Sequence, residues 1–136
     1  PGRTTEINFF RVTEEIKLVD LPGYGFSKMS LDKKKNLDIL LDNYFSLRQS
    51  LCAAIIFMDI RHPLKNSDIQ MMQFCDKYEV PFISVLTKSD KVSSSAISKA
   101  IKDVEGKLDS QSVIVTSSKN DEGFDKLSKK IIKFVE

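Results

Sequence analysis

Short apolar runs of strand length alternate along this chain with segments in which apolar side chains recur every three or four residues. The strand-like runs cover residues 7–12, 16–19, 53–58, 82–86 and 113–115. Runs 53–58 and 82–86 are almost continuously apolar, which is typical of parallel strands with both faces covered by helices. Only Thr13, Glu14 and Glu15 separate the first two runs, and so short a link predicts an antiparallel hairpin.

Four stretches have the helical period. Their apolar positions are Leu37, Leu40, Leu41, Tyr44 and Phe45; Ile69, Met72 and Cys75; Ile97, Ala100, Ile101, Val104 and Leu108; and Phe124, Leu127, Ile131, Phe134 and Val135. The alternation of strands and helices predicts a single domain, residues 1–136, built as a doubly wound α/β sheet with right-handed crossovers.

The composition is that of an ordinary globular chain of 136 residues, 41% of them hydrophobic. A net charge of +2 gives no strong electrostatic signal for nucleic acid, although an RNA-containing partner is allowed. Cys52 and Cys75 lack the paired spacing of a zinc or redox site, so we expect reduced residues that fill the core. No apolar run approaches the roughly 20 residues of a membrane span, so we expect no membrane partner and a cytoplasmic location.

Three polar motifs directly follow predicted strands, which is where open α/β sheets bind ligands. The second strand leads into Asp20, Leu21, Pro22 and Gly23. The Asp20 carboxylate can hold a magnesium-bound water, and the Gly23 amide can approach a phosphate because no side chain hinders it. An Asp before a Pro-Gly turn is also an ordinary way to end a strand, so this motif alone is weak.

The fourth strand continues into Thr87, Lys88, Ser89 and Asp90. A carboxylate fixed at position 90 can accept two parallel hydrogen bonds from the ring N–H and the exocyclic amine of guanine, whereas adenine offers no such pair of donors. The stem of Lys88 can lie along the base. The alternative is a charged loop that caps a helix.

The fifth strand leads into Thr116, Ser117 and Ser118, where a backbone N–H, above all that of Ser118, can bind the guanine carbonyl. Serines after a strand are common, so this motif gains meaning only with the other two. Together and in this order, the three motifs are typical of the translation-factor class of GTPases.

Four stretches resemble the EngB (YihA-type) family of ribosome-assembly GTPases, and the resemblance covers essentially the whole chain. They are Pro1-Gly2-Arg3-Thr4 with Ile7-Asn8-Phe9-Phe10, Asp20-Leu21-Pro22-Gly23-Tyr24-Gly25, Asp59-Ile60-Arg61-His62-Pro63, and Thr87-Lys88-Ser89-Asp90. The resemblance implies a three-layer P-loop GTPase fold with a mostly parallel sheet and one antiparallel edge strand.

The same resemblance implies GTP or GDP bound together with Mg²⁺. The nucleotide-binding residues that it implies are Gly2, Arg3, Thr4, Thr5, Glu6, Asp20, Leu21, Pro22, Gly23, Thr87, Lys88, Ser89, Asp90, Thr116, Ser117 and Ser118. Magnesium would be held by Thr4 and, through a water, by Asp20. Thr5 takes the place of Thr4 if the match to the family motif shifts by one residue.

The family resemblance implies a GTP-switched factor in the assembly of the large ribosomal subunit, whose rRNA and proteins would be its partners. Within the family this role is linked to septation and cell division, in a bacterial-type cytoplasm or in an organelle. Tyr24 stands where many small GTPases have a water-orienting glutamine. We therefore expect slow intrinsic GTP hydrolysis that needs help from another group or partner. The alternatives are a non-hydrolysing pseudo-GTPase or interaction module, and an unrelated flavodoxin-like domain in which the motifs coincide by chance.

The sequence contains no G-x-x-x-x-G-K-[ST] motif. We therefore expect that the chain begins partway through a longer protein, after the first central strand, the phosphate-binding loop and the first helix of the family fold. The chain alone is expected to bind GTP poorly and to lack the GTPase activity expected of its parent. An unfilled middle of the sheet predicts exposed apolar edges, and hence non-native dimerisation, aggregation or partial disorder.

Overall fold

The computed structural model describes residues 8–11, 17–20, 31–47, 51–108 and 113–135. The chain divides into two compact units, Pro1–Gln49 and Ser50–Glu136, and each is described by itself. The prediction of a single domain over residues 1–136 stays a prediction.

The first unit contains the predicted hairpin and the first predicted helix. Strands β1 (Asn8–Arg11) and β2 (Lys17–Asp20) pair antiparallel, with Asn8 opposite Asp20 and Arg11 opposite Lys17. Helix α1 spans Leu31–Leu47. Its residues Leu41, Tyr44 and Phe45 are buried, which confirms this part of the apolar face predicted from their spacing.

The second unit is a parallel sheet with helices on both faces. Its strands are β3 (Ala54–Asp59), β4 (Phe82–Thr87) and β5 (Val113–Val115), in the order β3-β4-β5. Its helices are α2 (Asn66–Lys77), α3 (Ser94–Lys107) and α4 (Phe124–Val135), and a short 3₁₀ turn covers Ser89–Lys91. Each predicted strand and helix of this unit is confirmed.

Two apolar clusters show which helix covers which face of the sheet. Alternate residues of a strand point to opposite faces, and one cluster joins Ile56, Met58 and Leu86 to Met72 of α2 and Val104 of α3. The other cluster joins Ile83, Val85 and Ile114 to Leu127 of α4. The second unit therefore has three layers, with α2 and α3 on one face and α4 on the other.

Two expectations about burial are wrong. Both faces of β3 were expected to be covered, but the Phe57 side chain is 56% exposed, whereas Val85 in β4 is fully buried. The difference follows from strand order, because β4 lies between β3 and β5, whereas among the described strands of this sheet β3 pairs with β4 alone. Cys75 fills the core of α2 as expected, and burial raises the pKa of its thiol to about 12. Cys52 lies in the segment before β3 and is exposed instead.

Among the helices in the described ranges, none combines the length and the apolar character needed to cross a membrane.

Candidate functional site

The carboxyl ends of β3, β4 and β5 lie side by side because the three strands are parallel and in close register. Asp59 is opposite Thr87, and Leu86 is opposite Val115. The segments that follow these positions include two of the three motifs singled out in the sequence, 87–90 and 116–118. The structure therefore brings these two motifs together at one edge of the sheet, as predicted.

Two threonines connect the strand ends across the sheet. The Thr87 hydroxyl donates to the carbonyl oxygen of Met58 in β3 at 3.3 Å. The Thr116 hydroxyl donates in the same way to the carbonyl oxygen of Leu86 in β4, also at 3.3 Å, and the Thr116 backbone N–H donates to that oxygen at 2.8 Å. Each motif therefore begins with a residue whose side chain fixes it to the preceding strand.

The loop after β4 turns sharply at Lys88, which has the left-handed conformation with φ 62° and ψ 39°. This conformation is unfavourable for a residue with a side chain and needs support from its surroundings. Hydrogen bonds on both sides supply it. The N–H of Ser89 donates to the Thr116 carbonyl at 3.1 Å, and the N–H of Lys91 donates to the Lys88 carbonyl at 3.0 Å.

The loop after β5 is closed by a small antiparallel bridge and by a glycine. The N–H groups of Ser117 and Glu122 each donate to the other residue's carbonyl, at 3.1 and 3.0 Å. Gly123 follows with φ +84°, and a Cβ at this position would collide with the carbonyl oxygen of Val115. Only glycine combines this backbone conformation with so close an approach to β5, so Gly123 fixes where α4 begins.

A side-chain hydrogen bond joins the two loops. The hydroxyl of Ser117, which is fully buried, donates to Oδ1 of Asp90 at 2.7 Å and accepts from the N–H of Asn120 at 3.1 Å. The bond from Ser117 lowers the pKa of Asp90, and Lys91 and Lys119 add a favourable charge. Asp90 is therefore a carboxylate at neutral pH, with one oxygen held in a fixed place.

A charge cluster lies beside these loops and was not predicted. Oδ1 of Asp59 accepts from the backbone N–H and Nε of Arg61 at 2.9 and 3.0 Å, and Oδ2 accepts from Nη2 at 2.7 Å. The side-chain hydrogen bonds from Arg61 lower the pKa of Asp59 well below its usual range. The Nζ of Lys88 lies 3.5 Å from the same Oδ2. The available signal was an Asp at the end of an apolar run, two residues before an Arg.

The other predicted site residues fall outside these loops. Asp20 is the last residue of β2, and its side chain lies outside the description. Residues 2–6 and 21–23 lie outside the described residues, so their predicted roles stay predictions. Within the described part of the chain, no group of three or more His, Cys, Asp or Glu side chains is placed to hold a metal ion.

Comparison with known proteins finds close relatives over nearly the whole chain. The chain is 42% identical over 130 residues to the probable GTP-binding protein EngB of Stenotrophomonas maltophilia (strain K279a), covering 92% of the chain and 65% of the relative. It is 39% identical over 135 residues to the protein of the same description from Kosmotoga olearia, covering 97% of the chain and 71% of the relative. The protein of the same description from Shewanella piezotolerans is 43% identical over 108 residues, covering 79% of the chain and 48% of the relative. The chain thus spans between 48% and 71% of the length of these relatives.

A model of P-loop GTPase domains, described as "Ferrous iron transport protein B", matches residues 1–131. Among solved structures, a probable GTP-binding protein engB superimposes with a TM-score of 0.80 at 18% identity, covering 99% of this chain and 84% of that one. Era in complex with MgGDPNP and nucleotides 1506–1542 of 16S ribosomal RNA superimposes with a TM-score of 0.73 at 18% identity, covering 98% and 45%. These likenesses show the P-loop GTPase fold.

Proposed function

We propose, from the premise that this chain belongs to the EngB family of GTP-binding proteins, that the edge formed after β4 and β5 recognises the base of a guanine nucleotide. The observation that carries the proposal is the Asp90 carboxylate, one oxygen of which Ser117 holds at 2.7 Å. Family members at about 40% identity favour this function over an interaction module that has lost nucleotide binding.

The chemistry of Asp90 suits the Watson–Crick edge of guanine. A carboxylate offers about four acceptor positions, so the bond from Ser117 leaves capacity for two more donors. Guanine presents two parallel N–H donors on one edge, from its ring nitrogen and its exocyclic amine. Because Ser117 has already fixed the carboxylate, little rotational freedom of Asp90 is lost on binding.

Two neighbours complete the base site in this proposal. The side chain of Lys88 is 57% exposed, so its stem is available to cover one face of the base. Ser118 follows the buried Ser117 and is exposed, and its N–H is the proposed donor to the guanine carbonyl. Thr87 and Thr116 support the site through hydrogen bonds to the neighbouring strands, and Ser89 donates its N–H to the Thr116 carbonyl.

The phosphates and Mg²⁺ are assigned in this proposal to predicted residues of the first unit. GTPases of this family generally use Mg²⁺ with the nucleotide. The carboxylate of Asp20, at the carboxyl end of β2, is the type of oxygen ligand that Mg²⁺ accepts, directly or through water. The proposed phosphate-side residues are Gly2, Arg3, Thr4, Thr5, Glu6, Leu21, Pro22 and Gly23, with Thr4 and Asp20 toward the metal.

The base site is tested by exchanging the functional group of Asp90. Xanthine has a carbonyl oxygen where guanine has the exocyclic amine. The Asp90 carboxylate repels that oxygen, whereas the side-chain amide of Asp90→Asn can donate a hydrogen bond to it. Titration of the 136-residue chain with GDP, ADP and XDP at millimolar concentration is followed by the backbone amide NMR signals of residues 87–91 and 116–119. We expect GDP but not ADP to shift these signals, and Asp90→Asn to change the GDP-to-XDP preference by about tenfold or more.

The matched control is Asp121→Asn, the same chemical change at an exposed residue of the loop after β5 that lies outside the motif. This variant should keep the GDP preference of the unsubstituted 136-residue chain. Equal shifts with ADP, or an unchanged preference in Asp90→Asn, would show that Asp90 does not read the base.

We propose further that the protein acts on the large ribosomal subunit or its precursor, as family membership implies. The fold neighbour Era was solved with ribosomal RNA, which gives a precedent for such a partner on this fold. Sedimentation of the chain with purified ribosomal subunits tests the idea. We expect co-sedimentation with the large subunit in excess of the small one, and equal or absent co-sedimentation would contradict it.

A further inference from the structure

The charge cluster after β3 extends from an arginine to the motif after β4. Asp59 is opposite Thr87, the last residue of β4, in the parallel register, so Lys88 is the first residue after that strand. This register brings the ammonium of Lys88 to 3.5 Å from Oδ2 of Asp59. The contact therefore joins residues that are far apart in the sequence and depends on the pairing of the two strands.

Arg61 fixes the carboxylate of Asp59 in advance. Its backbone N–H, Nε and Nη2 together make three hydrogen bonds of 2.7–3.0 Å to the two oxygens. Two mobile side chains that pair at a surface gain little, because both lose rotamer freedom. Here the carboxylate is already ordered, so only the lysine chain has to be fixed.

The lysine also starts from a defined backbone position. Lys88 has φ 62°, and hydrogen bonds of the residues on either side hold this conformation: the Thr87 carbonyl accepts from the N–H of Ile60 at 3.0 Å, and Ser89 donates to Thr116. The backbone of Lys88 and the position of its ammonium are thus set by separate contacts, and only its stem remains to be placed.

We propose that Asp59 is a positioning residue for the base site: it holds the ammonium of Lys88 so that the stem of that lysine lies where a base can stack on it. This inference rests on the proposed function, since it assigns the lysine to the base. Arg61 acts one step further away, by ordering Asp59. Neither residue touches the nucleotide in this proposal.

The first test is made without nucleotide and does not depend on the proposed function. In acidic, cold buffer the side-chain ¹⁵Nζ signal of Lys88 is observed, and Lys88→Arg identifies it by its loss. Asp59→Asn should shift this signal and increase the mobility of the ammonium group. Asp103→Asn, an exposed aspartate of α3, is the matched control and should leave the signal in place. A Lys88 signal that ignores Asp59→Asn overturns the inference.

The second test measures coupling during GDP binding. Asp59→Asn should raise the Kd for GDP roughly two- to fivefold while the preference for GDP over ADP stays with Asp90. Lys88→Met removes the ammonium, so adding Asp59→Asn to it should have no further effect. An equal loss in both backgrounds means that Asp59 supports the fold rather than the lysine, and overturns the inference.

Arg61→Gln is the second variant, because it keeps Asp59 but removes the guanidinium group that orders it. It should raise the Kd for GDP by less than Asp59→Asn does, and an effect larger than that of Asp59→Asn would contradict the proposed order of action. If the unsubstituted chain itself fails to prefer GDP over ADP, the proposed function fails, whatever the Lys88 signal shows. If it prefers GDP and the two residues are not coupled, only this inference fails.

Discussion

The loops that follow β4 and β3 are held by different forces, although the two strands are neighbours in one sheet. Around the loop after β4 the groups that fix the chain are buried, with Ser89, Thr116 and Ser117 exposed by 6%, 2% and 0%. After β3 they are charged: the Asp59 side chain is 19% exposed, and its partners Arg61 and Lys88, the latter from the loop after β4, are 43% and 57% exposed. The same edge of the sheet therefore combines a buried part with a charged, solvent-facing part.

This difference separates selectivity from affinity in the proposed site. Hydrogen bonds from neutral donors respond little to added salt, whereas exposed ion pairs weaken as salt is added. The carboxylate that would distinguish guanine from adenine, Asp90, is anchored in the buried part through Ser117. The lysine that would stack on any base is held by the charged, solvent-facing part.

The largest expected effect comes from breaking the buried part at Gly123. Gly123→Ala places a methyl group against the carbonyl oxygen of Val115 and forces a φ of +84° on a residue with a side chain. We expect a loss of about 2–3 kcal/mol in the free energy of unfolding, measured by urea denaturation. Because Thr116 and Ser117 come directly after Val115, the amide signals of residues 116–119 should shift as well.

Gly106→Ala is the matched control. Gly106 lies in α3, and a Cβ at this position would meet no atom within 4 Å. Alanine is favoured over glycine inside a helix, so this variant should be more stable by about 0.5–1 kcal/mol. If both glycine variants change stability alike, the close contact at Val115 is not what holds the loop.

The local pattern of apolar residues, through its period, run length and residue type, was enough to predict the strands and helices of the second unit. Residues 113–115 were predicted as a strand and form β5, and the apolar positions from Phe124 to Val135 coincide with α4. The helical period identifies α4, whereas for a continuous apolar run as short as residues 113–115 the length and the β-branched side chains indicate a strand. The placement of Asp90 and Ser117 at one edge also followed, because parallel strands share a carboxyl edge.

Features that depend on strand order and register were not predictable in this way. The exposure of Phe57 depends on which strand is central, and an apolar run does not specify its neighbours. The contact of Asp59 with Lys88 depends on which residues face each other across β3 and β4. The left-handed backbone of Lys88 carries no sequence signal, since lysine has no preference for that conformation.

The smallest expected effect distinguishes the two loops by how their carboxylates respond to salt. The first cause of the lowered pKa is a charged guanidinium for Asp59 and a neutral hydroxyl for Asp90. Raising the ionic strength from about 0.1 to about 1 M shortens the screening length from about 10 to about 3 Å. The pKa of Asp59 should therefore rise toward its ordinary value by more than that of Asp90, as followed by ¹³C carboxyl NMR.

Both carboxylates have a pKa that is lower in the folded state than the ordinary Asp value of about 3.9. Each therefore stabilises the fold above that pH, and the contribution is lost as the pH falls through the folded-state pKa. Ser117→Ala should raise the pKa of Asp90 and leave that of Asp59 in place, because Ser117 donates to Asp90 alone of the two. Equal salt responses of the two carboxyl groups would mean that the charged donor at Asp59 and the neutral donor at Asp90 do not distinguish these loops.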